Sequence, residues 1–304
     1  MHVDPQIVLA GLLVGFTVGL TGMGGGALMT PILILVFGID PLTAVSSDIV
    51  ASMVMKPVGG SVHLRRGTVH KGIVKHLMIG SVPSAFLGVV LLKVLAGGDD
   101  LQAHIKVLLG GALLIAATAM TAKALVQANR PDDSLPPALV PVKPLPTILI
   151  GIVGGLIVGM TSVGSGSLMI VLLLVLYPRL ETSSLVGTDL VQAIPLVASA
   201  AVGHLLFGDF ELALTTSLLI GCIPAVYVGA RLSSRAPGHA IRPVLVTVLV
   251  ASALKLLGAP TALAAGAGLT LGVLTAVITW RAMRRLEAGK VVPAASADVA
   301  GTNP

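Results

Sequence analysis

Charge is scarce in this 304-residue chain: only 11% of its residues are Asp, Glu, Lys or Arg, against about 25% in soluble domains. A soluble protein of this length could not cover its surface with so few. Aromatic residues make up 3%, and there is a single cysteine, Cys222. One cysteine excludes an internal disulfide and any cysteine-rich metal site. The net charge of +6 is not a nucleic-acid footprint, because the basic residues stand in short groups between apolar runs. What the chain has instead is hydrophobicity, 55% of residues at a mean hydropathy of +1.01. Charge-free runs such as Ile7–Phe37, Leu145–Tyr177, Leu212–Ala230 and Leu256–Trp280 match or exceed the roughly 20 apolar residues that a bilayer core requires. The fold class expected is an all-α polytopic membrane protein. The opening MHVDPQ has no basic region ahead of its apolar run and reads as an uncleaved first segment.

Nine apolar segments are expected, at about 7–37, 42–64, 72–95, 103–125, 146–177, 182–207, 211–232, 239–257 and 260–284. They group into a first transmembrane repeat (1–125), a Pro-rich cytoplasmic linker (126–145), a second repeat (146–257), an extra C-terminal transmembrane helix (258–287) and a disordered cytoplasmic tail (288–304). Two copies of one unit are indicated by matches at near-constant offset. GLTGMGGGALMT at 19–30 and GMTSVGSGSLMI at 159–170 share six of twelve residues, 140 apart. Residues 45–88 and 186–229 share eleven of forty-four at an offset of 141, among them Asp48/Asp189, His63/His204, Gly80/Gly221 and Pro83/Pro224. General hydrophobicity would match Leu and Val, not an Asp, a His and a Pro in one register.

Charge placement predicts that the two copies are inverted. The loop 65–75 carries Arg65, Arg66, Lys71 and Lys75, whereas its counterpart 207–211 carries Asp209 and Glu211. By the positive-inside rule the first is cytoplasmic and the second external. A straight helix through the 31 residues of 7–37 would run about 46 Å, well beyond a roughly 30 Å core. Segments 7–37 and 146–177 are therefore each expected to enter and return as a pair of short helices broken by glycine.

The breaks, Thr21–Gly26 and Thr161–Ser167, are the first candidate site. Unwound backbone at membrane depth is tolerated only inside protein or beside a water-filled cavity, and the helix that follows offers free N–H groups to an anion. Paired discontinuous helices point to a transporter site; close helix packing is the plainer alternative. The expected substrate-binding residues are Thr21, Gly24, Gly25, Gly26, Thr161, Gly164, Ser165, Gly166 and Ser167, with Ser47 and Thr188. Asp48 and Asp189 follow those last two hydroxyls inside apolar segments, where a carboxylate marks function by default. They are read as proton carriers or as helix caps. Lys56 is read chiefly as snorkelling toward the basic loop, and otherwise as drawing an anion into the pathway. His63 and His204 are read as interface residues bonded to neighbours, or as titrating with transport. No HExxH motif or GxxxxGK[ST] loop occurs, so no catalytic residue, metal ligand or cofactor is expected.

The chain resembles the sulfite exporter TauE/SafE family of bacterial membrane transporters. The resemblance rests on GLTGMGGGALMTPILILVFGIDPLTAVSSD, its echo GMTSVGSGSLMIVLLLVLYPRLETSSLVGTD, the HLRRGTV/HLLFGDF stretches and a G-x2-P-x4-G pattern at 80–88 and 221–229. It covers about residues 7–257. Similarity to that family implies a bacterial plasma membrane, export of a small anion such as sulfite, an organosulfonate or a carboxylate, and Gly-rich breaks in the core. Family members often carry a small polar pair such as Thr-Ser where this chain has Ser47-Asp48 and Thr188-Asp189. That departure favours proton coupling over an anion-only site. The expected partners are a small anionic substrate and the lipid bilayer, with no nucleic acid. A passive anion channel is the alternative, and an intramembrane enzyme or scaffold subunit a more distant one.

Overall fold

A computed structural model describes residues 3–21, 25–95, 101–128, 135–232 and 238–290. Among these the regular structure is helical, with no strand. The order is α1 (Pro5–Thr21), α2 (Gly26–Leu35), α3 (Pro41–Arg65), α4 (Lys71–Leu95), α5 (Leu101–Ala128), a 3-10 turn (Pro137–Leu139), α6 (Pro144–Thr161), α7 (Leu168–Leu176), α8 (Thr182–Phe207), α9 (Leu212–Leu232), α10 (Gly238–Leu256) and α11 (Thr261–Lys290). Six helices, α4, α5, α6, α8, α9 and α11, are long and apolar enough to cross a membrane. The protein is a multi-pass membrane protein. In bacteria that places it in the plasma membrane.

Segment 7–37 is two helices, α1 and α2, and segment 146–177 is likewise α6 and α7. The expected linker is shorter than its composition suggested, because α5 continues to Ala128. Its far end is tied down where Leu135 exchanges backbone hydrogen bonds with Arg179 and Glu181. α11 continues to Lys290, and the rest of the expected tail lies outside the described residues.

Glycine decides which helices meet. On α6, Gly151, Gly155 and Gly159 recur every fourth residue and face the backbone of α4. A Cβ at any of them would overlap the carbonyls of Leu77, Ser81 or Ala85. Such small-residue stripes let backbones touch, the main source of helix affinity in lipid. On α1, Gly11 and Gly15 face Leu218 and Cys222 of α9 in the same way. The contacts correspond residue by residue. Gly80 of α4 meets the Ile148 carbonyl and Ile152 amide of α6, and Gly221 of α9 meets the Val8 carbonyl and Leu12 amide of α1. The first helix of each half thus packs along the fourth helix of the other.

Between these pairs lie α3 and α8, in contact with each other. The start of α3 meets the end of α8, where Thr43 donates to Asp209 and Ser46 bonds His204. The two helices are antiparallel, and both are polar where they are most buried: Ser46, Ser47, Asp48, Ser52 and Lys56 on α3, Thr188, Asp189, Gln192 and His204 on α8.

Candidate functional site

The second break is built by its own backbone. α6 ends at Ser162, whose left-handed φ of 60° turns the chain, and Gly164 and Gly166 follow at φ of 131° and 88°. Side chains are strained in that region and glycine is not. The Thr161 hydroxyl donates to the Ile157 carbonyl at 2.6 Å and accepts the Val163 amide at 3.2 Å. It holds the break in shape. α7 then begins at Leu168, its first-turn amides lacking intrahelical acceptors as at any helix start.

The two breaks touch. A Cβ on Gly26, at the head of α2, would overlap the Ser162 carbonyl and hydroxyl, so only glycine lets the chains approach this closely. Asp48 lies beside the contact. Its Oδ2 accepts hydrogen bonds from Thr30 Oγ1 at 2.9 Å and Ser162 Oγ at 2.8 Å. Its Oδ1 is buried without a hydrogen-bond partner among the described residues and lies 3.9 Å from the position a Gly25 Cβ would occupy. Of the first break, Gly24 and the Thr21 side chain lie outside the described residues.

Lys56, two turns beyond Asp48 on α3, is buried, and its ammonium donates to Ser165 Oγ in the second break. It does not run out to the basic loop. It interacts electrostatically with both Asp48 and Asp189. Asp189 Oδ1 accepts from Gln192 Nε2 at 3.0 Å, Ser81 donates to the same glutamine, and the Gly166 backbone faces the carboxylate. Among the described residues, Asp189 Oδ2 and Ser167 Oγ are buried without hydrogen-bond partners. Neither aspartate stands at the start of its own helix, since α3 begins at Pro41 and α8 at Thr182.

Other residues singled out in the sequence serve the frame. Ser47 Oγ accepts the Glu211 amide just ahead of α9, and Thr188 Oγ1 accepts the His70 amide just ahead of α4. These are one bond made twice, each hydroxyl fixing the start of a helix in the opposite half. His204 is fully buried between Ser46 Oγ and the Gly159 carbonyl, bridging α3 to α6 at 2.9 and 2.8 Å. His63 bonds Thr68 at 2.9 Å near the end of α3. Sequence reasoning passed over Thr30, Gln192 and His70. A lone Thr in an apolar run gives no signal, whereas Gln192 three residues after Asp189 is an i, i+3 polar pair that could have been read. Among the described residues no group of three His, Cys, Asp or Glu could hold a metal ion.

A family model described as sulfite exporter TauE/SafE matches residues 7–256. The chain belongs to the TauE/SafE family. Among relatives, it is 38% identical over 258 residues to the probable membrane transporter protein YjnA of Bacillus subtilis, covering 83% of this chain and 99% of that one. It is 25% identical over 235 residues to the probable membrane transporter protein YdhB of the same organism, covering 76% and 91%. No solved structure matches. TauE/SafE membership makes the chain a membrane transporter by family. The stretch that carries α1 to α10 is the stretch the family model matches, whereas α11 lies beyond it.

Proposed function

We propose that this TauE/SafE protein is a proton-coupled secondary transporter, an exporter of a small anion such as sulfite, an organosulfonate or a short carboxylate, working by alternating access between two inverted repeats. The observation that carries the reading is the buried Lys56 ammonium on Ser165 of the second break, within electrostatic reach of both Asp48 and Asp189. A cation at that depth is costly unless compensated, and Ser165 is a neutral partner that an oxyanion would displace. The backbone amides that open α2 and α7 supply further donors, with the Ser167 hydroxyl, unpartnered among the described residues, alongside.

Charge counting supplies the coupling. Two carboxylates, Asp48 and Asp189, are set against Lys56 and, at Asp189, Lys123 as well, so the ionised cluster is close to neutral. A monoanion adds a net negative charge, which a low-dielectric site does not hold without compensation. Protons carried on Asp48 and Asp189 provide it, so anion and proton travel together. The reciprocal contacts of α1 with α9 and α4 with α6, and the cross-half bonds of Ser47 and Thr188, support the two-repeat frame that such a cycle needs.

The test is flux of sulfite, thiosulfate, sulfoacetate and short carboxylates in proteoliposomes under an imposed pH gradient. Saturable, counterflow-competent flux that follows the gradient is expected, and the Asp48→Asn/Asp189→Asn double variant should lose the pH response. Unchanged coupling in that variant removes the carboxylates from the mechanism. Linear, non-saturable flux without counterflow replaces the carrier by a passive anion channel.

A further inference from the structure

A second feature lies away from the central cluster. An outward groove of about 540 Å³ runs between α4 and the flanking ends of α3 and α8. Its walls are almost wholly apolar: Val74, Met78, Val82 and Pro83 on α4, with Leu64 and Val191 on the other sides. At one end stand Lys71 and Lys75, one helical turn apart and both exposed, and no acidic residue lines it.

Neither lysine serves the helix that carries it. Both lie in the opening turns of α4, where cations oppose the helix dipole. The same loop bears Arg65 and Arg66, both exposed. The dimensions are those of one leaflet. From Lys71 to Pro83 the helix rises about 18 Å, slightly more than half of a roughly 30 Å hydrocarbon core. A cationic mouth at the interface above an apolar slot of one leaflet's depth matches a lipid with a charged head and an extended chain. Basic pockets between transmembrane helices recognise anionic headgroups in this way.

We propose that the groove between α4, α3 and α8 is a binding site for one phospholipid with an anionic headgroup, its phosphate held by Lys71 and Lys75 and one acyl chain lying against Val74, Met78 and Val82. The occupant is taken to be a lipid and not a free anion, because an inorganic anion would leave the apolar length of the slot unfilled. This site is independent of the transport reading, since none of its residues belongs to the Lys56 cluster.

The test is native mass spectrometry of the full chain titrated with phosphatidylglycerol and with phosphatidylcholine. Wild type should retain phosphatidylglycerol preferentially. Lys71→Gln/Lys75→Gln should weaken that retention about 25-fold, roughly fivefold for each lysine near a membrane surface. Lys106→Gln, an exposed lysine on α5, serves as the control and should change nothing. Met78→Trp, which fills the slot, should lower retention of phosphatidylglycerol with both lysines intact. The proposal is overturned by equal retention in wild type and the double variant, or by inorganic phosphate displacing the lipid. It is overturned equally if Met78→Trp retains lipid fully, since lysines acting only through surface potential would behave that way.

Discussion

Removal of the Lys56 charge should harm the protein more than removal of either carboxylate charge. Lys56 is buried, bonded to Ser165 and in electrostatic contact with Asp48 and Asp189. In Lys56→Met, a side chain of similar length without charge, Asp48 loses the buried cation that acts on it, whereas Asp189 keeps Lys123. Deleting one member of a buried ion pair costs about 3–5 kcal/mol. Lys56 is hydrogen-bonded to Ser165 and acts on the carboxylates through space, so the lower figure, about 3 kcal/mol, applies. At roughly 2–4 °C per kcal/mol, the melting transition in detergent should fall by about 10 °C. Asp48→Asn is a different case. The amide oxygen can occupy the Oδ2 position and keep the hydrogen bonds from Thr30 and Ser162. Its NH2 then replaces Oδ1, which has no hydrogen-bond partner among the described residues in the first place. Two charge-assisted bonds become neutral ones, a loss of about 1 kcal/mol each. That loss is offset by deletion of a buried charge, so the net change should stay within about 1 kcal/mol.

The double variant decides the matter. If the lysine is there to compensate the carboxylates, Lys56→Met/Asp48→Asn should be more stable than Lys56→Met alone, with a coupling energy of about 2–3 kcal/mol. The pH dependence has a fixed sign. In Lys56→Met the folded state gains by taking up protons on Asp48 and Asp189, so it binds more of them than the unfolded chain, and stability falls as pH rises. Acidification should restore part of the lost melting temperature in Lys56→Met and much less in the double variant. Thermal unfolding by intrinsic fluorescence across several pH values reads both. Additive single-variant effects, or a pH-independent loss in Lys56→Met, would refute the reasoning and reduce Lys56 to a packing residue.

Three further outcomes follow from the frame. Gly80→Ala and Gly221→Ala each drive a methyl into a backbone carbonyl of the partner helix and should each cost about 1–3 kcal/mol, seen as matched falls in melting temperature. Gly111→Ala on α5 has open space for its methyl and should stabilise by about 0.5–1 kcal/mol. Ser47→Ala should raise amide exchange at the start of α9, and Thr188→Val at the start of α4. Each substitution removes a capping acceptor worth about 1 kcal/mol, and the affected amide lies in the opposite half of the chain.

Features that break a local pattern were legible in the sequence. Glycine clusters inside long apolar runs gave the α1–α2 and α6–α7 breaks, because several adjacent glycines weaken a helix where a single one is tolerated. Asp48, Asp189 and Lys56 stood out because a charge is costly at membrane depth regardless of its neighbours. The bonds those residues make were not legible. Ser47, placed in the substrate group by its neighbour Asp48, meets an amide 164 residues away, and Lys56 meets a serine 109 residues away. Such partners are set by which helices pack together, and a stripe of small residues does not name its partner. The apolar segment expected at 42–64 became α3. That helix falls outside the six apolar candidates because Ser46, Ser47, Asp48, Ser52 and Lys56 lower its average, although those side chains are buried in protein and do not face lipid.

The pairing of positions across the chain separates scaffold from chemistry. Contacts that recur at an offset of 140 or 141 are backbone contacts and caps: glycine on carbonyl, and Ser47 or Thr188 on the amide ahead of a helix. The aspartates recur too, but their surroundings do not. Asp48 is held by two hydroxyls, from Thr30 and Ser162, and Asp189 by the amide of Gln192. Ile170 stands where Thr30 would be repeated, Ala51 where Gln192 would be, and Val197 where Lys56 would be. A carrier that had to present one substrate to both faces through identical half-sites would need those positions alike. With Lys56 contributed by α3 and its partner serine by the α6–α7 break, the proposed carrier would have one site shared by the two halves. The motion that opens it must then separate Lys56 from Ser165 or carry both together. A cross-link between positions 56 and 165 through Lys56→Cys/Ser165→Cys, compared in its oxidised and reduced forms, distinguishes these. Flux that returns on reduction means the pair must part, and equal flux in both forms means the two move as one body. No flux in either means that the Lys56 charge is itself required.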